Sequence, residues 1–228
     1  QELQPEAPMP APAESTPILA SVPGLFDLPT WRRGGQATFM TDQRGLQAAG
    51  TAASEADKAA ARMALGEFYF AHGLIKEAES TLSEIGSEDR SQLDERRLAL
   101  LIGAIQILDG QLAKARGTLS EKSLAGVAEH NLFLGLLAAG EEKWDEAAQH
   151  LTNALPNITD YPKSVRETIY LTAGAALNAA GNPIAAQRFA DALRHDQPDR
   201  KGRDRLAYLD GQIKLKVGER DEALALWA

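Results

Sequence analysis

The sequence predicts an all-α protein built from repeated antiparallel helix hairpins, and three observations lead to this fold class. From about residue 37 onward, long segments rich in Ala, Leu, Glu and Arg alternate with short breaks that are marked by Gly or Pro. No segment shows the strict alternation of apolar and polar residues that is typical of a half-buried strand. The same small residues also return at a fixed internal spacing, which is the sequence signature of a repeat architecture.

The start of the chain predicts a disordered spacer. Residues 1–17 hold five of the eleven prolines, interleaved with Ala and Glu. Such a stretch cannot form a helix and prefers an extended, semi-rigid conformation. A proline-rich ligand for a partner is the alternative interpretation of this segment.

Residues 18–58 predict an extended apolar segment followed by a capping helix. Its first part contains seven large apolar residues, interrupted by Pro23, Gly24 and Pro29. We expect this part to lie extended over the surface of the following domain, because the prolines disfavour a central strand. Residues 37–53 favour one further helix, which would cap the first hairpin since terminal repeats need a modified outer face.

Residues 59–228 contain five segments that align on one glycine. Twelve residues after each of these glycines stands an alanine, and four of the five segments carry a second glycine seven residues after the first. Glu142 occupies the place of the second glycine in the third segment. The aligned residues are Gly66, Gly103, Gly135, Gly174 and Gly211, with Ala78, Ala115, Ala147, Ala186 and Ala223.

This spacing has a physical reason in the packing of two antiparallel helices. A glycine in the middle of the first helix lets the second helix approach closely, and the alanine is the matching contact on the second helix. The second glycine ends the first helix by adopting a left-handed conformation that most other residues resist. A large apolar residue four positions beyond the alanine, such as Leu82 or Leu119, then fills the space toward the next hairpin.

Over residues 59–228 these features resemble the tetratricopeptide repeat family, whose unit is a helix–turn–helix of about 34 residues. The fourth repeat is the most similar, with Gly174, Gly181, Ala186 and Pro198 in register with the family pattern. The family's usual aromatic residue after the first glycine is present in the first repeat alone, and its usual Trp near the repeat start is absent. The resemblance implies a right-handed superhelical solenoid of about five repeats.

The resemblance also implies that the first helix of each repeat lines the inner face of a curved groove. In the last two repeats the implied inner-face residues are Thr168, Leu171, Ala175, Asn178 and Ala179, then Arg205, Tyr208, Gln212, Leu215 and Lys216. From the whole face we predict a partner groove formed by Met63, Glu67, Phe70, Arg97, Leu100, Ala104, Ile107, Leu132, Leu136, Leu171, Asn178, Tyr208 and Gln212.

The middle of this groove is apolar, unlike the groove of chaperone-binding family members, which holds a terminal carboxylate pair with Lys, Asn and Arg. An apolar groove suits an amphipathic helix or an extended apolar segment of a partner. The alternative is that the same side chains are buried by tight packing, or are covered by residues 18–31 of the chain itself.

A local concentration of basic residues precedes the fifth repeat, where we expect a loop that connects two hairpins. These residues either form ion pairs within the loop or provide a docking point for an acidic partner or a phosphate surface. The candidate residues are Arg194, Arg200, Lys201, Arg203 and Arg205.

The composition argues against several classes of function. The 24 Lys and Arg against 32 Asp and Glu give a net charge of −8, which disfavours a general nucleic-acid binder. The absence of cysteine excludes disulfides, thiolate metal sites and a cysteine nucleophile. The four histidines lack metal-chelating spacing, and no phosphate-binding loop or nucleophile elbow occurs. We therefore expect no catalytic residue, no cofactor, no metal and no transmembrane segment in this sequence.

These observations predict a noncatalytic protein–protein interaction scaffold that presents an apolar curved groove to another protein or peptide. The alternative is a noncatalytic arm of a larger bacterial envelope enzyme or machine whose active part lies beyond residue 228, because the sequence stops within a predicted helix. Self-association through the last hairpin is a third option. The Pro/Ala/Glu spacer is typical of bacterial envelope proteins and favours the periplasm over the cytoplasm.

Overall fold

The chain is all-helical in the part that the structure, a computed structural model, describes, which is residues 24–227. This range contains twelve α-helices, several short 3₁₀ turns and no strand. The prediction of an all-α fold is confirmed for these residues, whereas the predicted spacer and residues 18–23 lie outside them. The helices are α1 (Leu28–Arg32), α2 (Phe39–Ala52), α3 (Lys58–Ala71), α4 (Ile75–Ser83), α5 (Glu95–Leu108), α6 (Leu112–Leu119), α7 (Ala128–Gly140), α8 (Trp144–Leu151), α9 (Lys163–Ala179), α10 (Pro183–His195), α11 (Arg200–Lys216) and α12 (Arg220–Trp227).

Helices α3 to α12 pack as five consecutive hairpins. The two helices of each hairpin contact each other, and the second helix of each of the first four hairpins also contacts the first helix of the next hairpin. Each of the five aligned glycines lies on the first helix of a hairpin, and each aligned alanine lies fully buried on the second helix. The hairpins therefore coincide with the five repeats of the sequence.

The aligned glycines contact a larger residue than the sequence suggested. A Cβ atom built on Gly103 would lie 2.5 Å from Leu119 Cδ2, and one built on Gly66 would lie 2.5 Å from Leu82 Cδ2. In the last hairpin the indole of Trp227 occupies the corresponding space beside Gly211. The pairing of glycine with alanine is thus corrected for four hairpins, in which the residue four positions beyond the alanine packs onto the glycine of its own hairpin. In the fourth hairpin, a Cβ atom on Gly174 would lie 2.8 Å from Leu209 of the next hairpin and 3.6 Å from the Ala186 carbonyl oxygen.

The turn of each hairpin requires a left-handed backbone. Four hairpins meet this requirement with glycine, for example Gly110 at φ +76° and Gly181 at φ +81°. In the third hairpin the same position holds Glu142 at φ +60°, with its side chain exposed. A residue with a Cβ atom is strained in this conformation, so the third turn stores strain that the other four avoid.

The segment before the hairpins is more helical than the sequence predicted. The predicted capping helix forms as α2, and Phe39 stacks on Phe68 of α3 with the ring centroids 5.2 Å apart. The short helix α1 forms where we expected only extended chain. Pro29 is tolerated in its first turn, and the Asp27 side chain accepts a hydrogen bond from the Thr30 N–H at 3.2 Å.

Replacing Glu142 by glycine should raise the free energy of unfolding by about 1 kcal/mol, because glycine adopts this backbone conformation without steric cost. Gly110→Ala is the matched control, since an added Cβ there meets no atom within 4 Å and tests backbone conformation alone. It should lower the free energy of unfolding by a similar amount. Urea unfolding monitored by circular dichroism measures both changes, and equal stability of the Glu142→Gly variant and the unmodified chain would contradict the assignment of strain.

Candidate functional site

Residues 24–32, which we call the N-terminal strap, lie against the first helices of the first and third hairpins. Phe26 is the centre of an aromatic cluster, with its ring centroid 5.5 Å from that of Phe70 and 6.2 Å from that of Phe133. Trp31 and Tyr161 complete the cluster at 5.2 and 6.4 Å. Aromatic pairs at such distances add to the free energy gained by burying their surface, so the cluster anchors the strap.

Hydrogen bonds at both ends fix the direction in which the strap runs. Near its start, the Phe26 N–H donates to Glu129 Oε1 of α7 at 3.1 Å, and a Cβ atom on Gly24 would collide with the same carboxylate. Near its end, Arg32 donates from Nε to the Ala71 carbonyl of α3 at 3.3 Å and from its guanidinium to the Asp160 carbonyl. The strap is therefore held to the third hairpin near its start, and near its end to the first hairpin and to the segment between α8 and α9.

The front part of the predicted partner groove is not an open surface in the described structure. The strap and the neighbouring helices leave all of its large apolar side chains except Ile107 with at most 3% of their surface exposed. Glu67 is also buried, and Arg97 and Ile107 are half-buried. The prediction of an open groove is corrected for this part, and its buried apolar and small members are Met63, Phe70, Leu100, Ala104, Leu132 and Leu136.

Glu67 is a buried carboxyl group beneath the strap. Burial disfavours its charged form and raises its pKa to about 7, and the carboxylates of Asp27 and Asp94 act in the same direction. Arg97 opposes this shift, with its Nε 3.1 Å from Glu67 Oε1. The two atoms are not aligned for a hydrogen bond, so the ion pair compensates only part of the cost of burial.

The rear part of the predicted groove is an open cleft of about 1060 Å³ between α9 and α11. Its volume lies at the upper end of the range of roughly 300–1,000 Å³ that is usual for ligand pockets. Four predicted groove residues meet in its lining, namely Leu171, Asn178, Tyr208 and Gln212. All ten inner-face positions that the resemblance implies for the last two repeats line this cleft.

Large apolar side chains are exposed in this cleft. Tyr208 has 61% of its surface exposed, Leu215 has 40% and Trp144, at the rim, has 36%. Tyr208 also stacks on Trp227 with the ring centroids 5.8 Å apart, which holds its ring in place. The cleft therefore offers a preformed apolar surface, in contrast to the covered surface of the first three hairpins.

The five residues of the predicted basic loop lie in different surroundings in the structure. The connection between α10 and α11 is short, so Arg200, Lys201, Arg203 and Arg205 lie in the first turns of α11 rather than in a loop. Lys201 and Arg205 line the cleft, and Arg200 is exposed outside it. The remaining two residues serve contacts within the chain, because Arg203 donates to the Pro198 carbonyl and Arg194 pairs with aspartates.

Comparison of the chain with protein-family models, with curated proteins and with solved structures found no match. The resemblance to tetratricopeptide repeats therefore stays a prediction. Residues 24–227 contain no group of three or more His, Cys, Asp or Glu that could hold a metal ion. Across the same range, the helices are too short or too polar to cross a membrane.

Sequence reasoning missed Phe26, Glu129 and Tyr161 as the residues that position the strap. Phe26 was visible only as one of several apolar residues before the repeats. Glu129 carried no signal for a contact more than 100 residues away in the chain. Tyr161 lies between two predicted repeats, where spacing arguments say nothing about packing.

Replacing Phe26 by alanine should detach the strap. The loss of the aromatic contacts should lower the free energy of unfolding by about 2 kcal/mol, less than for a fully buried Phe because Phe26 is half-buried. Amide hydrogen exchange should rise in residues 25–32 and stay unchanged in α9–α12. Met40→Ala is the control, since Met40 is 55% exposed and its truncation should cost less than about 0.5 kcal/mol. Unchanged exchange in the strap of the Phe26→Ala variant would contradict the anchoring role.

Glu67 should make the protein less stable as the pH rises from about 4.5 to 7. Its folded pKa of about 7 lies above the usual glutamate value of 4.5, so the folded state retains a proton that the unfolded state has lost. The free energy of unfolding therefore falls across this window, by about 3 kcal/mol in total at most.

The Glu67→Gln variant should lack this decrease and be the more stable protein at pH 8. Glu55→Gln is the control, because Glu55 is fully exposed and its pKa is lowered by Lys58, outside this window. Urea unfolding at a series of pH values measures the difference. Parallel stability curves for the Glu67→Gln variant and the unmodified chain would exclude a raised pKa of Glu67.

Proposed function

We propose that this chain is a noncatalytic protein-interaction module that binds an apolar segment of a partner protein in the cleft between α9 and α11. The observation that carries the proposal is the exposure of Trp144, Tyr208 and Leu215 on one concave surface. Exposed apolar surface of this kind, rimmed by polar residues, is typical of binding sites.

The strap supports the proposal by its position. It places apolar side chains against the first helices of the first and third hairpins, which correspond to α9 and α11 in the last two. The same face of the repeat thus accepts a peptide segment in one half of the molecule and is open in the other. A partner segment in the cleft would therefore bind α9 and α11 on the same face that the strap contacts on α3 and α7.

The polar side chains of the cleft favour binding over catalysis. Lys201, Asp204 and Arg205 lie exposed on the first turns of α11 rather than converging on one buried point with a nucleophile. We also propose that the five hairpins form a right-handed superhelical array of tetratricopeptide type. The coincidence of hairpins with repeats and the contacts between successive hairpins support this architecture.

Panning the intact chain against a library of random 16-residue peptides tests the proposed function. Selected peptides should bind at least about tenfold more weakly to the Tyr208→Ser and Leu215→Ser variants, because each substitution removes apolar surface from the cleft. Ile184→Ser is the control, since Ile184 is 79% exposed and does not line the cleft. Thermal melting should confirm that all three variants stay folded. Peptides that bind the three variants equally would contradict the proposed site.

A further inference from the structure

We infer that the segment bound in the cleft carries carboxylate groups along the flank that faces α11, beside an apolar centre. This inference rests on the proposed function and adds the chemistry of the partner. Three basic residues of α11 line the cleft, Lys201, Arg205 and Lys216, and only Asp204 among its lining residues is acidic.

The three basic residues are free to pair with a ligand. No described carboxylate lies within 4 Å of their charged groups, although acidic residues outnumber basic ones in this chain. Lys214, elsewhere on α11, is paired within the chain, with Glu219 and Glu222 at 2.5 and 2.7 Å from its Nζ. The three cleft residues make no such ion pair with the described residues, so their charges are available to a ligand in the cleft.

The spacing of these charges sets the spacing of the carboxylates. Arg205 and Lys216 are eleven residues apart on one helix, which corresponds to roughly 16 Å at 1.5 Å per residue. Tyr208 and Leu215 lie between these two basic residues in the sequence of α11, and both line the cleft. A ligand with acidic groups about 16 Å apart and apolar side chains between them would satisfy both parts of the surface.

The opposite edge of the cleft has the other sign of charge. Trp144 and Ala179 line both the cleft and a smaller depression that contains Glu142, Asp145 and Glu146, with Lys143 as its one basic residue, paired to Glu141. These exposed carboxylates repel an acidic group and favour a basic one. The acidic flank of the ligand is therefore directed to α11, and its orientation in the cleft is fixed by charge.

Asn178 provides an independent indication of a ligand. It lines the cleft with only 8% of its surface exposed, and its Oδ1 accepts no hydrogen bond from the described residues. A buried polar atom without a partner is costly. A hydrogen-bond donor of the bound segment, such as a backbone N–H or a side-chain amide, would satisfy it.

The charge of the selected peptides tests the inference. Peptides recovered from the random library should carry Asp or Glu on one flank of an apolar centre. Their affinity should fall at least about tenfold for the triple variant Lys201→Glu, Arg205→Glu and Lys216→Glu, and should fall with rising salt because the charges are exposed. Replacing the acidic residues of a peptide by Lys should restore its binding to this variant.

Two matched variants complete the experiment. The triple variant Arg44→Glu, Arg90→Glu and Lys122→Glu has the same net charge with the changes on exposed residues outside the cleft, and it should bind as the unmodified chain does. Asn178→Leu, which keeps the size of the side chain and removes its hydrogen-bonding groups, should weaken binding about tenfold.

The outcomes separate this inference from the proposed function. Peptides that depend on Tyr208 and Leu215 but show no acidic bias, and bind both triple variants equally, would overturn the inference and leave the proposed function standing. Recovery of no peptide that depends on these two residues would overturn both. A synthetic peptide of residues 12–23, which contains Glu14 and the large apolar residues Ile18, Leu19 and Val22, must also be measured. If it displaces every selected peptide, the occupant is the chain's own segment and the inference of a partner is overturned.

Discussion

The structure depends on the close contact between the two helices of each hairpin at one glycine. In four hairpins the glycine on the first helix leaves a gap, and a large side chain of the second helix fills it, as Leu119 does beside Gly103. Beside Gly174 in the fourth hairpin, Leu209 of the next hairpin fills this space. A methyl group on the glycine would force the helices apart, since packed interiors have few voids to absorb the extra volume. The contact fixes the distance between the helix axes in each hairpin, and through it the face that the first helices present.

The face formed by the first helices is covered in one part of the chain and exposed in another. In the first and third hairpins it is covered by the strap, whose Phe26 lies in an aromatic cluster and whose backbone N–H donates to Glu129. Covering it buries the carboxyl group of Glu67 and leaves one oxygen of Glu129 without a partner. These costs are tolerated because the burial of several aromatic rings outweighs them. In the last two hairpins the face stays open, and exposed Tyr208 and Leu215 give it the character of a binding surface.

Local features of the fold were predictable because they follow from spacing along the chain. The helix breaks at Gly110 and Gly181, the capping helix before the first hairpin and the five hairpins all come from positions that a short sequence window can compare. The helix at Leu28–Arg32 was missed because two prolines suggested an extended chain, whereas Pro29 lies in a first turn, where it removes no needed hydrogen bond. For the candidate site, the resemblance to tetratricopeptide repeats selected Leu171, Asn178, Tyr208 and Gln212, which do meet in one cleft.

The sequence by itself determined the repeat: the hairpins and their turns follow from the period of small and apolar residues, and the family resemblance of this period implies which positions face inward. The tertiary structure alone decided which inward positions are accessible, because that depends on where residues 24–32 return to the array. Contacts such as Phe26 to Glu129, between residues far apart in the chain, leave no periodic signal. The tertiary structure also decided which basic residues are available to a ligand. Arg194 is paired with Asp191 and Asp210, whereas Lys201 lines the cleft without a described carboxylate nearby.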